Sequence, residues 1–529
     1  GFAALRRLAE EMAKKGTTGA PKLFDLLKPD GSLRRHVACL TSSVDAGGQI
    51  SLLRMAFAAA GKFPGVSLLA ALPGLLFAGV ALFLSPLWAQ LLWAVIGVIL
   101  AIGLPPGIAL VRMVRGLEKR LRDNGFGFCS GAEDLAPWIT KTLNELAGRN
   151  PDGPPLTFGD LWGEKHSEGK EKEIDLQLTA ADVSLSAPVR LPFDRLDSSR
   201  IEDVYYFKEE ELRGYFPAAI VDHLVAKART NRYFRRVKGY IPLPEPADLP
   251  VAFAARLAAG LPLLMSSVPL YRAYRVKGRG RQRWHMRRSR IVGGGIGANT
   301  PLHIFDRMLP IRPSLAVHIA PVGEESSDPE KRRKGIWVQN LVNQQGPVLW
   351  LGFGNTFSWL SGMAHLAANA ADHVMLHTPG FRERMAVAKI APEHAGWAMC
   401  LSPEDCTHLL ELGKSAGSQL ARRFDIDGES PRSLSWTAHR WIRFRTALAQ
   451  LENSLRDMRA AYHEADTADV TFDHLIMRSA EEPPDVFRWV DISQRNHALR
   501  VTSQLLTMIE HWEQDRFSFA AGELPKPES

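Results

Sequence analysis

Two short motifs place glycine and serine residues at spacings that can support chemistry. GGGIGA, residues 293–298, fits the dinucleotide-binding pattern G-x-G-x-x-G/A, in which backbone amides hold a pyrophosphate. GKSAG, residues 413–417, fits the pattern G-x-S-x-G, in which a serine on a sharp turn attacks an acyl group. Both patterns are short, so the function of each depends on the secondary structure around it.

The residues around GGGIGA argue against a dinucleotide site. Such a site requires a hydrophobic strand before the glycines, a helix after them and an acidic residue further along the chain. Here the preceding residues, RGRQRWHMRRSRIV, end in a single apolar pair, Ile291 and Val292, and no acidic residue stands at the ribose-binding distance. A P-loop is excluded as well, because no Gly-Lys-Ser/Thr sequence follows.

The residues around GKSAG predict a helix that runs through the motif. Ser402 has the position of an N-cap, and Pro403 that of a first-turn residue. Apolar residues then recur at helical spacing on both sides of Ser415, at Leu409, Leu412, Ala416 and Leu420. A nucleophilic serine needs a strand before it, so we predict that Ser415 lies in the middle of a helix and is not catalytic.

Composition indicates a large folded protein without a metal or disulfide framework. The chain has 529 residues, of which 46% are hydrophobic, and this is enough for two or three domains. Its four cysteines, Cys39, Cys129, Cys400 and Cys406, contain no CxxC pair. We therefore expect no metal site and no cofactor.

A basic run lies just before the glycine motif, and three functions are open for it. RAYRVKGRGRQRWHMRRSR, residues 272–290, is the densest cluster of positive charge in a chain whose net charge is +8. It fits a solvated loop, a surface for anionic lipid headgroups or, least well, a nucleic-acid patch. We expect no nucleic-acid partner.

A long uncharged stretch predicts a helical hairpin in a membrane. No charged residue occurs between Lys62 and Arg112, and this span is more than twice the length of one transmembrane helix. Ser85-Pro86 marks a turn between predicted helices at 66–84 and 88–110. Positive residues flank both ends, which predicts a multi-pass membrane protein with both ends in the cytoplasm. The alternative is a buried helix pair in a soluble core.

The rest of the chain predicts an α/β protein with a helical C-terminal region. Short β-branched runs alternate with helical patterns from 176 to 350, and almost all residues after 355 have a helical pattern. Thr157 and Asp160 are predicted to cap a helix. His303 and His318 are expected to be core histidines, whereas Arg382 and Arg384 are expected at a helix surface. The predicted division has four parts. The first part of the α/β domain is 1–62, the transmembrane helical hairpin is 63–112, the remainder of the α/β domain is 113–430, and the helical C-terminal region is 431–529.

Several segments, in one order along the chain, resemble the bacterial patatin-like phospholipases that carry a hydrophobic insertion. Those segments are NGFGFCSG (124–131), PLTFGDLWG (155–163), RLPFD (190–194), YYFKEEELRGYFP (205–217), LPEPADLPVAFAARLAAGLPLLMSSVPLY (243–271), GGGIGANTPLHIFDRMLP (293–310), PGFRERMAVAKIAPEHAG (379–396) and the helix that ends in RRF. The resemblance implies a three-layer α/β/α sandwich with a Ser–Asp dyad. It also implies hydrolysis of lipid or phospholipid acyl esters through an acyl-serine intermediate, with no cofactor, so a serine must lose its proton to the aspartate as it attacks.

The sequence departs from the family pattern at both catalytic residues. Gly293, Gly294, Gly295 and Asn299 fall on the motif loop, but the family has aspartate where this chain has Gly293. Asp306 is too far along the chain to replace it. No strand-borne G-x-S-x-G motif precedes residue 40, so we expect the sequence to begin after the nucleophile.

Two functions therefore follow from the resemblance. The first is a membrane-anchored lipid acyl hydrolase of the patatin-like family, of which these residues form an incomplete part. The alternative is a catalytically inactive relative, which would act as a membrane-bound lipid-binding or interaction protein.

Overall fold

The computed structural model describes most of the chain, with gaps at the N-terminus, in long loops and near the C-terminus. The described residues are 28–31, 33–42, 52–84, 86–163, 171–193, 203–229, 239–276, 283–296, 300–321, 335–339, 356–378, 380–390, 403–424, 435–464, 472, 476 and 491–514. Asn299 of the motif loop and Ser85 of the predicted turn lie outside these residues.

The helices fall into an N-terminal group, a central group and a C-terminal group. The first group comprises α1 (Arg34–Ser42), α2 (Leu52–Lys62), α3 (Pro64–Leu84) and α4 (Leu87–Asp123). The central group comprises α5 (Leu135–Leu146), α6 (Phe158–Trp162), α7 (Glu209–Leu212), α8 (Ala218–Ala226) and α9 (Val251–Ala258). The last group comprises α10 (Thr356–His377), α11 (Pro403–Arg423), α12 (Trp436–Glu464) and α13 (Ile492–Gln514).

The described strands form three separate sheets. Six of them form one antiparallel sheet: β2 (Leu178–Asp182), β3 (Ala187–Leu191), β4 (Tyr205–Phe207), β5 (Ile241–Pro242), β7 (Val268–Val276) and β8 (Arg283–Gly293). Their order across the sheet is β3-β2-β8-β7-β4-β5. Two small sheets contain parallel pairs, β1 with β6 and β9 with β11, and β10 pairs antiparallel with β11. Their bounds are β1 (Gly127–Cys129), β6 (Leu263–Met265), β9 (Ala316–Pro321), β10 (Ile336–Val338) and β11 (Met385–Ile390).

This architecture confirms a mixed α/β chain with a helical C-terminal region. The main core lies between the six-stranded sheet and helices α5, α8 and α9, where Phe207, Ile220 and Phe253 are fully buried. The predicted cap of α6 is confirmed, since Thr157 and Asp160 form a reciprocal capping box.

The predicted helical hairpin corresponds to α3 and α4, which pack closely through small residues. An ideal Cβ on Gly97 would lie 2.6 Å from the Cβ of Ala78, and one on Gly74 would lie 2.8 Å from the Cα of Ala101. Such close backbone approach is typical of helix pairs in membranes. Helix α4 extends beyond the predicted end at 110 to Asp123, because the residues that follow favour a helix and its last turn is basic.

The apolar side chains of the hairpin point outward. Leu68 is 70% exposed and Ile99 is 62% exposed, which does not fit the alternative of a helix pair inside a soluble core. Among the described residues, one helix segment, Val95–Asp123, is long and apolar enough to cross a membrane. A second segment would be long enough if the helices Met55–Lys62 and Pro64–Val80, whose axes meet at a bend of 103°, together formed one membrane span.

The N-terminal helices pack against the basic end of the hairpin. Cys39 of α1 and Met55 and Ala59 of α2 form a small buried cluster with Ala109 and Met113 of α4. Just before α1, Asp30 accepts hydrogen bonds from Asn124, which ends α4, and from Ser130 after β1. These contacts join the first described segments to the start of the α/β region.

Candidate functional site around Gly293

Gly293 is the last residue of β8, an interior strand of the six-stranded sheet, at the point where β8 pairs with β2. It lies opposite Ala180 in the antiparallel register. Its backbone N–H donates a hydrogen bond of 2.7 Å to the carbonyl of Gly260, just after α9. The position that carries aspartate in the patatin-like motif is therefore held by backbone contacts on two sides.

The structure leaves no space for a side chain at this position. An ideal Cβ on Gly293 would lie 2.7 Å from the carbonyl oxygen of Ala258 and 3.1 Å from that of Gly260. On Gly294 it would lie 2.6 Å from the carbonyl oxygen of Thr179. Both glycines are thus required by close backbone approach, whereas Gly295 is exposed. Sequence reasoning missed this contact because Gly260 and Gly293 are far apart in the chain and no local pattern links them.

Asp306, the first carboxylate after Gly293 in the chain, is engaged by two arginines. Its carboxylate forms ion pairs of 2.9 Å with Arg384, which is completely buried, and with Arg443 of α12. With both carboxylate oxygens engaged by arginines, Asp306 serves to neutralise buried charge.

The prediction that Arg382 and Arg384 lie at a helix surface is wrong. Both are buried, in a short 3-10 turn directly before β11, where the chain enters the small sheet. The Nε of Arg384 donates to the carbonyl of Gly380, whose N–H donates to Glu383. Burial lowers the pKa of Arg384 and raises that of Glu383. This segment is a buried polar network, and its arginines support the loop that follows the glycine motif.

That loop borders a cleft of about 820 Å³. The cleft is open to solvent and lined mainly by apolar residues, among them Leu302 and Phe305, with Glu171, Arg307 and Arg312 as its charged groups.

At the inner side of the cleft, Thr300, His318 and Asp372 are all buried. The Thr300 hydroxyl lies 3.0 Å from Nδ1 of His318, and Asp372 of α10 accepts a hydrogen bond of 2.9 Å from the Thr300 amide. Asp372 therefore anchors the chain after the motif loop. The expected burial of His318 is confirmed, but His303 is exposed, so the same expectation was wrong for that residue.

Ser415 lies within α11, as predicted, and not on a turn after a strand. Its side chain is exposed, whereas the next residue, Ala416, is fully buried against Val338 and Ala386. The motif GKSAG therefore reflects helix packing and places no nucleophile at a catalytic turn.

Several arginines of the basic run contact side chains of neighbouring segments. Arg288 forms an ion pair of 2.7 Å with Glu211, and Arg272 lies 3.8 Å from Asp203. Arg287 stacks over Tyr274, with 4.4 Å between the guanidinium carbon and the ring centroid. These contacts reduce the charge that the hairpin β7–β8 presents to an external partner.

The described residues contain no group of three or more histidine, cysteine, aspartate and glutamate side chains placed to hold a metal ion. Cys39 and Cys129 are buried thiols. Burial, reinforced by Asp30, raises the pKa of Cys129 to about 12. A thiol with that pKa is protonated at neutral pH and is a poor nucleophile.

His439 supplies a pH test of the buried arginine network. Burial, together with Arg384, Arg443 and Arg423, lowers the pKa of His439 from 6.5 to about 3. Below about pH 6.5 the unfolded chain binds a proton that the folded chain does not, so stability falls as pH decreases toward 3. We expect a slope of about 1.4 kcal/mol per pH unit from this residue.

The measurement is unfolding of the full chain in detergent micelles at about pH 7.5 and about pH 5. His439→Phe keeps an aromatic ring beside Trp436 and Phe424 and should remove that part of the pH dependence. Equal pH dependence in the two proteins would show that His439 is protonated in the folded state.

Comparison with known proteins gives one distant similarity. No family model matches the chain, and no solved structure matches it. The chain is 26% identical over 580 aligned residues to a protein named RpoH suppressor from Rhizobium meliloti (strain 1021). The alignment covers 97% of this chain and 84% of that protein, so the similarity extends along nearly the whole molecule.

Proposed function

We propose that this chain is a membrane-anchored relative of the patatin-like lipid acyl hydrolases that carries out no Ser–Asp hydrolysis. It would act as a lipid-binding or interaction protein at the cytoplasmic face of the membrane, on a patatin-like three-layer fold. The observation that carries the proposal is the close backbone contact at Gly293, which excludes a side chain where the family base would stand.

The chemistry of the dyad explains why this position is decisive. A serine hydroxyl is a weak nucleophile, and in a two-residue site the aspartate is the base that accepts its proton. At Gly293 the nearest groups are the carbonyl oxygens of Ala258 and Gly260, which do not take up a proton at neutral pH. Asp306 is held by two arginines, and Ser415 lies within a helix.

The anchoring part of the proposal is supported by the exposure of the hairpin and by its flanking charge. The outward side chains of α3 and α4 are apolar, and in water such a surface would favour aggregation. Lys62 precedes the apolar stretch, and Arg112 and Arg115 follow it. By the positive-inside rule, both ends of a two-helix anchor would face the cytoplasm.

A serine-reactive fluorophosphonate probe tests the absence of hydrolysis. We expect no labelling of the full-length protein in membranes, under conditions in which an active serine hydrolase added to the same sample is labelled. Ser415→Ala serves as the control for the helical motif and should change neither labelling nor stability, because surface substitutions usually change stability by less than about 0.5 kcal/mol. Labelling that disappears when one serine is replaced, together with release of fatty acid, would overturn the proposal.

Alkaline carbonate extraction tests the anchor separately. We expect the full chain to remain in the membrane pellet and a variant without residues 66–110 to be released. Release of the full chain by carbonate would overturn the anchoring part alone.

A further inference from the structure

We propose that α2 lies in the plane of the bilayer surface and that, together with the basic part of α4, it forms a binding site for anionic phospholipid headgroups. This inference rests on the proposed membrane anchor. It adds a depth, an orientation and a class of lipid to that anchor.

The first support is a fixed bend between α2 and α3. Their axes turn by 103° at Phe63, where Pro64 begins α3 without a backbone donor. The Ser67 hydroxyl donates a hydrogen bond of 2.8 Å to the carbonyl of Ala60, which Pro64 cannot bond because it lacks an N–H. The carbonyl of Phe63 accepts from the amides of Val66 and Ser67. If α3 crosses the bilayer, a turn of this size places α2 nearly parallel to the membrane surface.

The second support is the depth at which α2 meets α4. Met55 and Ala59 of α2 pack against Ala109 and Met113 of α4. Arg112 lies between those two contacts and is the first charged residue after the apolar stretch. Helix α2 therefore crosses α4 where the chain changes from apolar to basic, which is the level expected for the boundary between acyl chains and headgroups.

The composition of α2 fits that level. Phe57, on the face opposite Met55 and Ala59, is 56% exposed, and Lys62 ends the helix. Amphipathic helices in the interfacial plane combine exposed aromatic or aliphatic residues with basic residues that reach toward the headgroups.

The third support is a group of cations at the same level. Arg112, Arg115 and Lys119 of α4 are exposed, as is Lys62 of α2. Within the part of the chain that the structure describes, no ion pair joins these four side chains to a carboxylate, whereas Arg122 lies 3.7 Å from Glu118. We call Lys62, Arg112, Arg115 and Lys119 the basic collar.

Location and charge together identify an anionic lipid as the occupant of the basic collar. The attraction of basic groups to a charged bilayer falls off within about one Debye length, roughly 8 Å at physiological salt. Along α4, Arg112 lies about 5 Å beyond Ala109, Arg115 about 9 Å and Lys119 about 15 Å. If the apolar stretch is inserted, Arg112 lies within that distance, Arg115 lies at its limit, and Lys119 extends the collar outward. Arginine and lysine form charge-assisted hydrogen bonds with phosphate oxygens.

A depth measurement separates this inference from the anchor on which it rests. A single spin label would be placed at position 57, 77 or 141 of the full chain in vesicles, through cysteines that replace Phe57, Phe77 or Lys141. Cys400 and Cys406 would be replaced by serine, while the buried thiols of Cys39 and Cys129 react slowly because burial raises their pKa.

We expect the label at 77 to lie among the acyl chains, the label at 57 at headgroup depth and the label at 141 in water. A label at 57 that is fully in water, with 77 among the acyl chains, would overturn the interfacial position of α2 and leave the anchor intact. Labels at 57 and 77 that are both in water would contradict the anchor itself.

A lipid competition tests the headgroup class. The full chain would be reconstituted into phosphatidylcholine vesicles that contain a minor fraction of fluorescent phosphatidylglycerol, and energy transfer from protein tryptophans would report enrichment of the labelled lipid. The triple variant Arg112→Gln, Arg115→Gln and Lys119→Gln should lower that enrichment by about a hundredfold, because each basic residue near the surface contributes roughly fivefold.

Two controls make the result specific. Lys141→Gln removes one exposed cation of α5, which already pairs with Asp152, and should leave the enrichment unchanged. Labelled phosphatidylcholine should show no preference for the native protein over the triple variant. Equal enrichment of phosphatidylglycerol by the native protein and the triple variant would overturn the assignment of the basic collar.

Discussion

We expect Gly293→Asp to destabilise the protein by about 3 kcal/mol or more and to restore no activity. This substitution introduces the aspartate that the family pattern has at this position. The new Cβ would lie 2.7 Å from the carbonyl oxygen of Ala258, so β8 or the end of α9 would have to move. The carboxylate would also be placed beside the carbonyl of Gly260, which repels it. Unfolding of the variant in detergent micelles, followed by tryptophan fluorescence, measures the loss.

Gly293→Ala separates the steric part of this effect from the electrostatic part. Alanine introduces the same Cβ without a charge, and we expect a loss of about 1–3 kcal/mol, typical of overpacking in a closely packed site. Thr179 lies closest to Gly294, so Thr179→Ser serves as a matched control for a mild change nearby. A Gly293→Asp variant with native stability and fluorophosphonate labelling would show that the backbone can open to form a catalytic site.

Asp306→Asn is expected to destabilise the protein by about 3–5 kcal/mol, the usual cost of removing one partner from a buried ion pair. Asparagine has nearly the shape of aspartate, so the change removes charge with little change in volume. Arg384, which has no exposed surface, and Arg443 would then share a buried site without their carboxylate. Unfolding in urea or by heat, in the same micelles, measures the difference.

A surface ion pair provides the control for this second substitution. Asp222 lies 2.6 Å from Arg213, but its side chain is 61% exposed. Asp222→Asn should therefore change stability by less than about 1 kcal/mol. If both asparagine variants lost the same small amount, the ion pairs of Asp306 would be screened by water and would not hold the loop beside the cleft.

The parts of the fold that could be predicted from sequence have a local cause. The hairpin follows from a long absence of charge, the capping box from two residues three positions apart, and the helix through Ser415 from apolar spacing. In each case the residues that determine the structure are neighbours in the chain. The same is true of the mixed α/β character of the central region.

The parts that could not be predicted depend on contacts between distant segments. The need for glycine at 293 arises from Gly260, and the burial of Arg384 arises from Asp306. Arg443 reaches Asp306 across 137 positions of the chain. A charged residue beside a helical pattern normally predicts a surface, and only the tertiary structure brings a carboxylate to meet it.

The length of α4 has a mechanical consequence. Its 37 residues extend about 55 Å, whereas the hydrocarbon core of a bilayer is about 30 Å thick. The helix ends at Asn124, and the next residue, Gly125, accepts two hydrogen bonds from Ser267 at the start of β7. If the apolar part of α4 is inserted in the bilayer, the rest of this helix would hold the six-stranded sheet at a fixed distance from the lipid. Any tilt of α4 in a thinner or thicker bilayer would then move β7, the strand that pairs with β8 beside Gly293.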